Sequence, residues 1–169
     1  NDSTHREAMS HTPLVAITDD DPITRDVLAV ALGGRYDIKV FEGGQALLDA
    51  MAENAFDLVL LDVSMPGLNG YDTCRALRAG EARPDVPVVF LSGCAHLEDR
   101  LQGYAAGGND YFTKPYDIDE LHAKILLAID SHRREHDLAV EVAQLNHAVS
   151  LTTEMMGEVG VVLEFHRRL

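Results

Sequence analysis

The fold is decided by the segment Leu58–Gly70, whose sequence is LVLLDVSMPGLNG. Four consecutive apolar residues that end in Asp62 are typical of a strand buried on both faces of a parallel sheet. Turn-forming residues follow at once, so the Asp62 carboxylate is predicted at the C-terminal end of that strand. Open α/β sheets bind their ligands at this edge. Asp62 is therefore a candidate functional residue, although a lone aspartate there could also be a turn residue or a helix cap.

Strands and helices alternate along the chain on both sides of this segment. Apolar residues at helical spacing predict helices of about 10–15 residues, with Pro22 suited to a first turn and Gly33 to a helix end. Five strands are predicted by apolar or alternating runs at residues 14–18, 36–41, 56–62, 86–91 and 107–113. This order predicts an α/β fold in which a parallel sheet has helices on both faces.

The composition limits the classes of function. The chain has 169 residues, enough for one domain and an extension, and no apolar run reaches the length of a membrane span. No secretory signal pattern opens the chain. Cys74 and Cys94 have neither metal-site spacing nor a disulfide framework, which favours a cytoplasmic location. The net charge of −14 argues against nucleic-acid or anionic-membrane binding by this segment.

Polar side chains stand at the C-terminal ends of four predicted strands. Asp19 and Asp20 follow the first strand, Asp62 ends the third, Ser92 follows the fourth and Lys114 follows the fifth. In a parallel sheet these ends share one edge, so we expect the side chains to lie close together. Carboxylates in such proximity raise each other's pKa or require a cation, and Mg²⁺ prefers oxygen ligands. A carboxylate nucleophile, a metal ion, an ammonium and a hydroxyl are the groups that phosphoryl transfer uses.

Four segments of the chain resemble the receiver domain of bacterial two-component response regulators. The resemblance covers roughly Thr12 to Arg133, and its segments are VAITDDDP at 15–22, LVLLDVSMPGLNG at 58–70, VVFLSG at 88–93 and NDYFTKPY at 109–116. It implies a flavodoxin-like doubly wound α/β fold, with five parallel strands in the order 2-1-3-4-5. It also implies a signalling domain, not an enzyme that acts on an outside substrate. The implied partner is a histidine kinase or a phosphotransfer protein.

The resemblance also implies the phosphoacceptor and the metal ligands. Asp62 is expected to receive the phosphoryl group from a phosphohistidine on the partner. Mg²⁺, or Mn²⁺ in its place, is expected to be held by Asp19, Asp20, Asp62 and the backbone carbonyl of Ser64.

Three more residues acquire roles through the resemblance. Ser92 is expected to bond a phosphoryl oxygen, and Lys114 is expected to pair with the phosphoryl group. Tyr111 stands at the position of the family's switch aromatic, which swings inward when Ser92 moves. The peptide bond between Lys114 and Pro115 is expected to be cis, as is usual in the family.

A heptad pattern continues beyond the predicted receiver. β-Branched Val at the a positions and Leu at the d positions of the first two heptads favour a parallel two-stranded coiled coil. We therefore predict that the fifth helix runs on without a break and forms a homodimer, with a C-terminal helix that folds back on its own receiver as the alternative. The predicted dimer seam, called the heptad seam below, consists of Leu138, Val142, Leu145, Val149, Thr152, Met156 and Val159.

The patterns together predict three parts of the chain. Residues 1–11 are expected to be disordered or foreign to the native protein, residues 12–133 to form the receiver, and residues 134–169 to form the coiled-coil dimerisation helix. The apolar stripe broadens after Gly157, which suggests that an output domain follows Leu169.

Two other functions remain open on the sequence. The first is an atypical receiver that dimerises without regulation by phosphate. The second is a haloacid-dehalogenase-like phosphatase, because residues 19–23 approach its Asp-x-Asp-x-Thr/Val motif and would make Asp19 the nucleophile. Ile23 occupies the Thr/Val position of that motif, and the phosphatase hypothesis leaves Asp62 unexplained.

Overall fold

The computed structural model describes residues 11–167 of the chain, and its side chains up to Glu158. The predicted N-terminal segment at residues 1–11 lies outside the described residues except for His11. The chain forms two compact units, one that ends at Asp130 and one that begins at Ser131.

The first unit is built on a five-stranded parallel sheet. The strands follow the order β2-β1-β3-β4-β5, which confirms the predicted doubly wound fold. Leu60 of the central strand is in register with Ile17 on one side and Val89 on the other. The strand bounds are β1 Leu14–Thr18, β2 Asp37–Phe41, β3 Leu58–Asp62, β4 Val88–Ser92 and β5 Asp110–Thr113.

Helices connect the strands, and some of them begin after a residue whose side chain caps the helix. The Asp21 side chain accepts hydrogen bonds from the backbone N–H groups of Ile23 and Thr24, and Pro22 occupies the first helical position. The Asn69 side chain accepts a bond from the N–H of Asp72 in the same way. The helix bounds are α1 Pro22–Leu32, α2 Gly44–Met51, α3 Gly70–Ala79, α4 Leu97–Ala105 and α5 Ile118–Arg167. The long continuous fifth helix that the sequence predicts is therefore present.

The core of this unit has one layer on each face of the sheet. Successive side chains of a strand point to opposite faces, so a central strand must be apolar throughout. Val59 and Leu61 lie in one layer, and Leu58 and Leu60 lie in the other. All five residues of β3 and of β4 are buried, including Asp62 and Ser92 at their ends. The predicted burial of Leu58–Asp62 is therefore confirmed. The polar side chains of Asp62 and Ser92 are buried at the C-terminal edge of the sheet.

β1 has the predicted bounds, whereas the other four strands begin one to three residues later than the sequence predicted. The C-terminal ends of all five strands agree with the prediction to within one residue. β4 begins after Pro87, which has no N–H to donate, although its carbonyl accepts a bond from Val59. β5 begins at Asp110 because Gly107 and Gly108 still bond back to the end of α4. Gly107 has a φ of +102°, a conformation that favours glycine. The functional edge of the sheet was therefore predicted better than the opposite edge.

Gly70 allows α3 to approach the backbone of Asp62 and of the loop that follows it. A Cβ atom on Gly70 would contact the carbonyl oxygen of Asp62 and would lie 2.8 Å from the Cα of Val63. We expect Gly70→Ala to lower the free energy of unfolding by about 2–3 kcal/mol, because backbone atoms cannot yield as a flexible side chain does.

Chemical denaturation of the purified variant would measure this effect. The matched control is Gly34→Ala, since no atom lies within 4 Å of a Cβ placed on Gly34, and its effect should stay within about 0.5 kcal/mol. Equal stability of the Gly70→Ala and Gly34→Ala variants would contradict the close approach.

Candidate functional site

The C-terminal edge of the sheet brings together the carboxylates of Asp19, Asp20 and Asp62, called the acidic edge below. One oxygen from each carboxylate lies within 4.8 Å of one from each of the other two. Asp19 directly follows β1 and Asp62 ends β3, and these strands are neighbours in the sheet. Asp19 is 1% exposed and Asp62 is 5% exposed, whereas Asp20 is open to solvent. The result is a compact group of oxygen ligands with one accessible side.

Lys114 places an ammonium group against the acidic edge. Its Nζ lies 3.2 Å from Oδ1 of Asp62 and 3.2 Å from Oδ2 of Asp19. The backbone N–H of Lys114 donates to the carbonyl of Ser92 over 2.7 Å, which fixes the residue at the end of β5. The peptide bond between Lys114 and Pro115 is cis, as the resemblance implied. The Lys114 ammonium pairs with two of the three carboxylates and cannot neutralise all three, so the acidic edge retains negative charge.

The pKa of Asp62 reflects first its burial and then the excess of negative charge. Burial and the neighbouring Asp19 raise the pKa of Asp62 to about 6, and the opposing attraction of Lys114 only partly offsets them. Burial alone would lower the pKa of Lys114, but the carboxylates of Asp62 and Asp19 outweigh it and raise the pKa of this ammonium. Lys114 therefore stays charged, while Asp62 protonates in mild acid in the absence of a cation.

Ser92 is buried, whereas Ser64 is exposed. Ser92 is buried at the end of β4, one residue beyond the partner of Asp62 in the β3–β4 register. Its Oγ accepts a hydrogen bond from the N–H of Cys94 over 3.0 Å. Ser64 is exposed in the loop between β3 and α3, two residues after Asp62.

Tyr111 lies in β5 with its side chain directed into the core. It is 8% exposed, and its ring packs against Phe90 with 6.2 Å between the ring centroids. Its hydroxyl lies 3.4 Å from the hydroxyl of Tyr71, which the sequence did not single out. Tyr71 follows Gly70 in the first turn of α3, and only the tertiary fold brings it to Tyr111.

Arg25 is a second residue near the site that the sequence did not indicate. Its Nη1 donates to the backbone carbonyl of Asp19 over 2.7 Å, and its side chain is 13% exposed. The Oδ1 of Asp19 accepts a bond from the N–H of Asp21 over 2.9 Å. These two bonds hold the loop after β1 and the Asp19 carboxylate in place.

The second unit is helical and carries the heptad seam. The described apolar members of the seam are exposed, with values from 47% for Val142 to 71% for Met156. Thr152 is also exposed, and its hydroxyl bonds back to the carbonyl of Ala148. The side chain of Val159 lies outside the described residues. Among residues 11–167, no helix combines the length and hydrophobicity that a bilayer crossing requires.

The doubly wound sheet, with an acidic edge and a lysine at its C-terminal side, defines a signalling domain of the receiver type. The family model for the response regulator receiver domain matches residues 15–126, and the chain belongs to that family.

Curated relatives agree with this assignment. The chain is 36% identical over 132 residues to the DNA-binding response regulator MtrA of Mycolicibacterium smegmatis, covering 78% of this chain and 55% of MtrA. It is 35% identical over 117 residues to the DNA-binding dual master transcriptional regulator RpaA of Synechocystis sp., covering 67% of this chain and 47% of RpaA. The chain therefore spans about half the length of the curated relatives it matches.

Solved structures of receiver domains have the same fold. The BeF3-activated DrrB receiver domain matches with a TM-score of 0.65 and 31% identity, over 71% of this chain and 99% of that one. DrrB is a response regulator of Thermotoga maritima. The receiver domain of the sensor histidine kinase PA1611 from Pseudomonas aeruginosa PAO1 matches with a TM-score of 0.66 and 27% identity, over 71% and 99% of the two chains. That structure has a magnesium ion coordinated in its active-site cleft.

Proposed function

We propose that this receiver accepts a phosphoryl group on Asp62 from a phosphohistidine of a histidine kinase or phosphotransfer protein. The observation that carries the proposal is the buried Asp62 carboxylate, held between Lys114 and the other two carboxylates of the acidic edge. An Asp62 oxygen attacks phosphorus, the phosphorus–nitrogen bond breaks, and its electron pair leaves with the imidazole. The product is an acyl phosphate. Lys114 stabilises the negative charge on the phosphoryl oxygens.

The residues of the acidic edge fit a hard divalent cation. Three carboxylates face one ammonium, and the exposed Asp20 leaves a path from solvent. We assign Asp19, Asp20, Asp62 and the backbone carbonyl of Ser64 as ligands of Mg²⁺, with Mn²⁺ able to take its place. A bound ion would neutralise charge on the phosphoryl oxygens during transfer. The magnesium ion in the similar PA1611 receiver domain supports this assignment.

Ser92 and Tyr111 form the proposed switch. The Ser92 Oγ, which accepts from Cys94 in this structure, would turn to donate to a phosphoryl oxygen on Asp62. That movement would change the conformation of the end of β4. Tyr111 lies beside it, because Phe90 of β4 is the register partner of Tyr111 in β5. Tyr111 lies in the core of this unit, so a change in its packing would reach the surface that α4 and β5 form.

We propose that the heptad seam transmits the phosphorylation state of the receiver to an output domain. We assign residues 12–133 to the receiver and residues 134–169 to a dimerisation helix in a cytoplasmic signalling protein. The exposed apolar seam supports a homodimer, in which phosphorylation changes how two helices pair. The matched relatives are DNA-binding regulators about twice as long as the matched segment, which supports a separate output domain. The net charge of −14 makes nucleic-acid binding by this segment itself unfavourable.

Treatment with acetyl phosphate separates the proposed function from its alternatives. We expect one phosphoryl group on Asp62, detected by intact mass and by retarded migration in a phosphate-affinity gel. We expect no phosphorylation when EDTA is present from the start and removes Mg²⁺. A chain that gains no phosphoryl group would favour the atypical receiver. Multiple turnover of small phosphate esters that depends on Asp19 but not Asp62 would favour the phosphatase, which the family membership disfavours.

The raised pKa of Asp62 predicts how stability depends on pH and Mg²⁺. The folded state binds the Asp62 proton more tightly than the unfolded chain, so ionisation of Asp62 opposes folding as pH rises from about 4 to about 6. A pKa of about 6 against the ordinary 3.8 corresponds to at most about 3 kcal/mol at neutral pH. We expect metal-free Asp62→Asn to be about 1–3 kcal/mol more stable than the parent at pH 7.5, and about equal near pH 4.

Urea denaturation at both pH values, with EDTA or with Mg²⁺, would measure this difference. Mg²⁺ should raise the free energy of unfolding of the parent chain. The difference in stability between Asp62→Asn and the parent should therefore become smaller. The control is Asp26→Asn, which changes an exposed carboxylate on α1 outside the acidic edge and should keep the parent's response to Mg²⁺. A parent chain that is more stable than Asp62→Asn in EDTA at pH 7.5 would contradict the electrostatic account of the acidic edge.

A further inference from the structure

Two buried tyrosine hydroxyls meet between α3, α4 and β5. Tyr71 is 5% exposed, and its hydroxyl lies 3.0 Å from the backbone carbonyl of Asp99 in the first turn of α4. The Tyr111 hydroxyl lies 3.4 Å from the Tyr71 hydroxyl. A phenol has one hydrogen to donate, so Tyr71 donates to Asp99 and accepts from Tyr111. Burial and the bond to Tyr111 raise the pKa of Tyr71, so this donor stays protonated.

The two tyrosine rings flank a third aromatic ring. The ring of Phe90 lies 5.3 Å from that of Tyr71 and 6.2 Å from that of Tyr111, measured between centroids. Gly103 of α4 lies close to the same cluster, because a Cβ atom there would be 3.1 Å from both the Phe90 and the Tyr111 ring. The buried position of Tyr111 is therefore defined by ring packing on two sides and by one hydroxyl contact.

Tyr71 also lies next to the loop that follows the phosphoacceptor. The N–H of the preceding Gly70 donates to the carbonyl of Val63 over 2.8 Å. The absence of a side chain at Gly70 brings this first turn of α3 against the carbonyl of Asp62. A contiguous set of contacts thus runs from the backbone of Asp62 through Tyr71 to Tyr111 and α4.

We propose that Tyr71 is a positioning residue that holds the ring of Tyr111 in its buried position and joins α4 to the loop after Asp62. The inference deepens the proposed function, because it rests on Tyr111 as the switch aromatic. The Tyr71 hydroxyl favours the buried state of Tyr111 before any phosphoryl group is present, and phosphorylation shifts an equilibrium that already exists. Loss of one such hydrogen bond should raise the ratio of exposed to buried Tyr111 about fivefold.

Fluorine NMR of the full chain labelled with 3-fluorotyrosine tests the proposal without phosphorylation. The chain has five tyrosines, and the Tyr111 resonance is assigned by its absence in Tyr111→Phe. We expect Tyr71→Phe, which keeps the ring against Phe90, to move the Tyr111 resonance towards a solvent-exposed shift. The control Tyr104→Phe removes a hydroxyl from a 47% exposed residue of α4 and should leave that resonance in place.

The rate of phosphorylation by acetyl phosphate supplies a second measurement. We expect Tyr71→Phe to slow phosphorylation of Asp62 about fivefold, and to add nothing further in a chain that already carries Tyr111→Phe. A Tyr71→Phe chain with lower thermal stability but an unmoved Tyr111 resonance would assign Tyr71 to packing alone and overturn the proposal. If the parent chain takes no phosphoryl group, the proposed function fails, while the fluorine resonance still decides whether Tyr71 holds Tyr111.

Discussion

Asp62→Asn is expected to abolish phosphorylation by acetyl phosphate, with a loss of rate of more than about a thousandfold. The amide oxygen of asparagine is a poor nucleophile, and it cannot form the acyl phosphate. The side chain keeps the size of aspartate and can still accept a bond from Lys114, which lies 3.2 Å from Asp62 in the parent. The fold should therefore survive, and circular dichroism would verify it. Intact mass after a timed incubation with Mg²⁺ would measure the rate.

Two further variants sharpen this prediction. Asp26→Asn removes an exposed carboxylate from α1 and should be phosphorylated at the parent rate. Lys114→Ala should slow phosphorylation by about a hundredfold or more, because it removes the ammonium that faces both buried carboxylates. A phosphoryl group that still appears on Asp62→Asn at the parent rate would place the acceptor elsewhere, with Asp19 the first residue to examine.

The sheet and its functional edge were accessible to sequence reasoning because strong local patterns encode them. The run Leu58–Asp62 is apolar up to its last residue, and the fold buries all five residues. The topology then brings Asp19 and Lys114 to Asp62 without any further information, since parallel strands share their C-terminal edge. The N-terminal ends of β4 and β5 were less predictable, because backbone bonds around Pro87 and Gly107 decide them.

Helical spacing predicted where α1 lies but not which of its residues are buried. Ile23 and Val27 recur at helical spacing with Leu28 and Leu32, yet they are 71% and 57% exposed, while both leucines are fully buried. Apolar periodicity identifies a helix, and only the packed sheet determines the buried face. Val30, at 85% exposure, extends the same exposed face.

The hydrogen bonds around the site lay beyond the reach of sequence patterns. Tyr71 and Tyr111 are 40 residues apart, and their hydroxyls meet only because α3 and β5 pack around Phe90. Arg25 reaches the Asp19 carbonyl through the geometry of the first turns of α1. No spacing rule signals either contact. The raised pKa of Asp62 likewise depends on burial and on the Asp19 carboxylate, which are properties of the assembled edge.

Leu145→Asp is expected to weaken self-association of the chain by at least about a hundredfold. Leu145 takes a d position of the heptad seam and is 59% exposed in the isolated chain. Burial of one leucine side chain in a dimer contributes about 1.5–3 kcal/mol, and each dimer has two copies of the residue. An aspartate in the same seam would also place two like charges in a dry interface, which raises the cost further.

Leu151→Asp supplies the matched control for this experiment. Leu151 is 48% exposed and takes the c position of the same heptads, so the substitution makes the same chemical change outside the seam. Sedimentation equilibrium of the parent and both variants over a range of concentrations would measure the association. A parent chain that stays monomeric at high concentration would contradict the dimer, and equal weakening by the two variants would place the interface elsewhere on the helix.

Cysteine crosslinks along residues 138–158, compared with and without an acyl-phosphate mimic, would then test whether the helix transmits the phosphorylation state. Different crosslink patterns in the two states are expected, because phosphorylation can control an output only if it changes how the two helices pair.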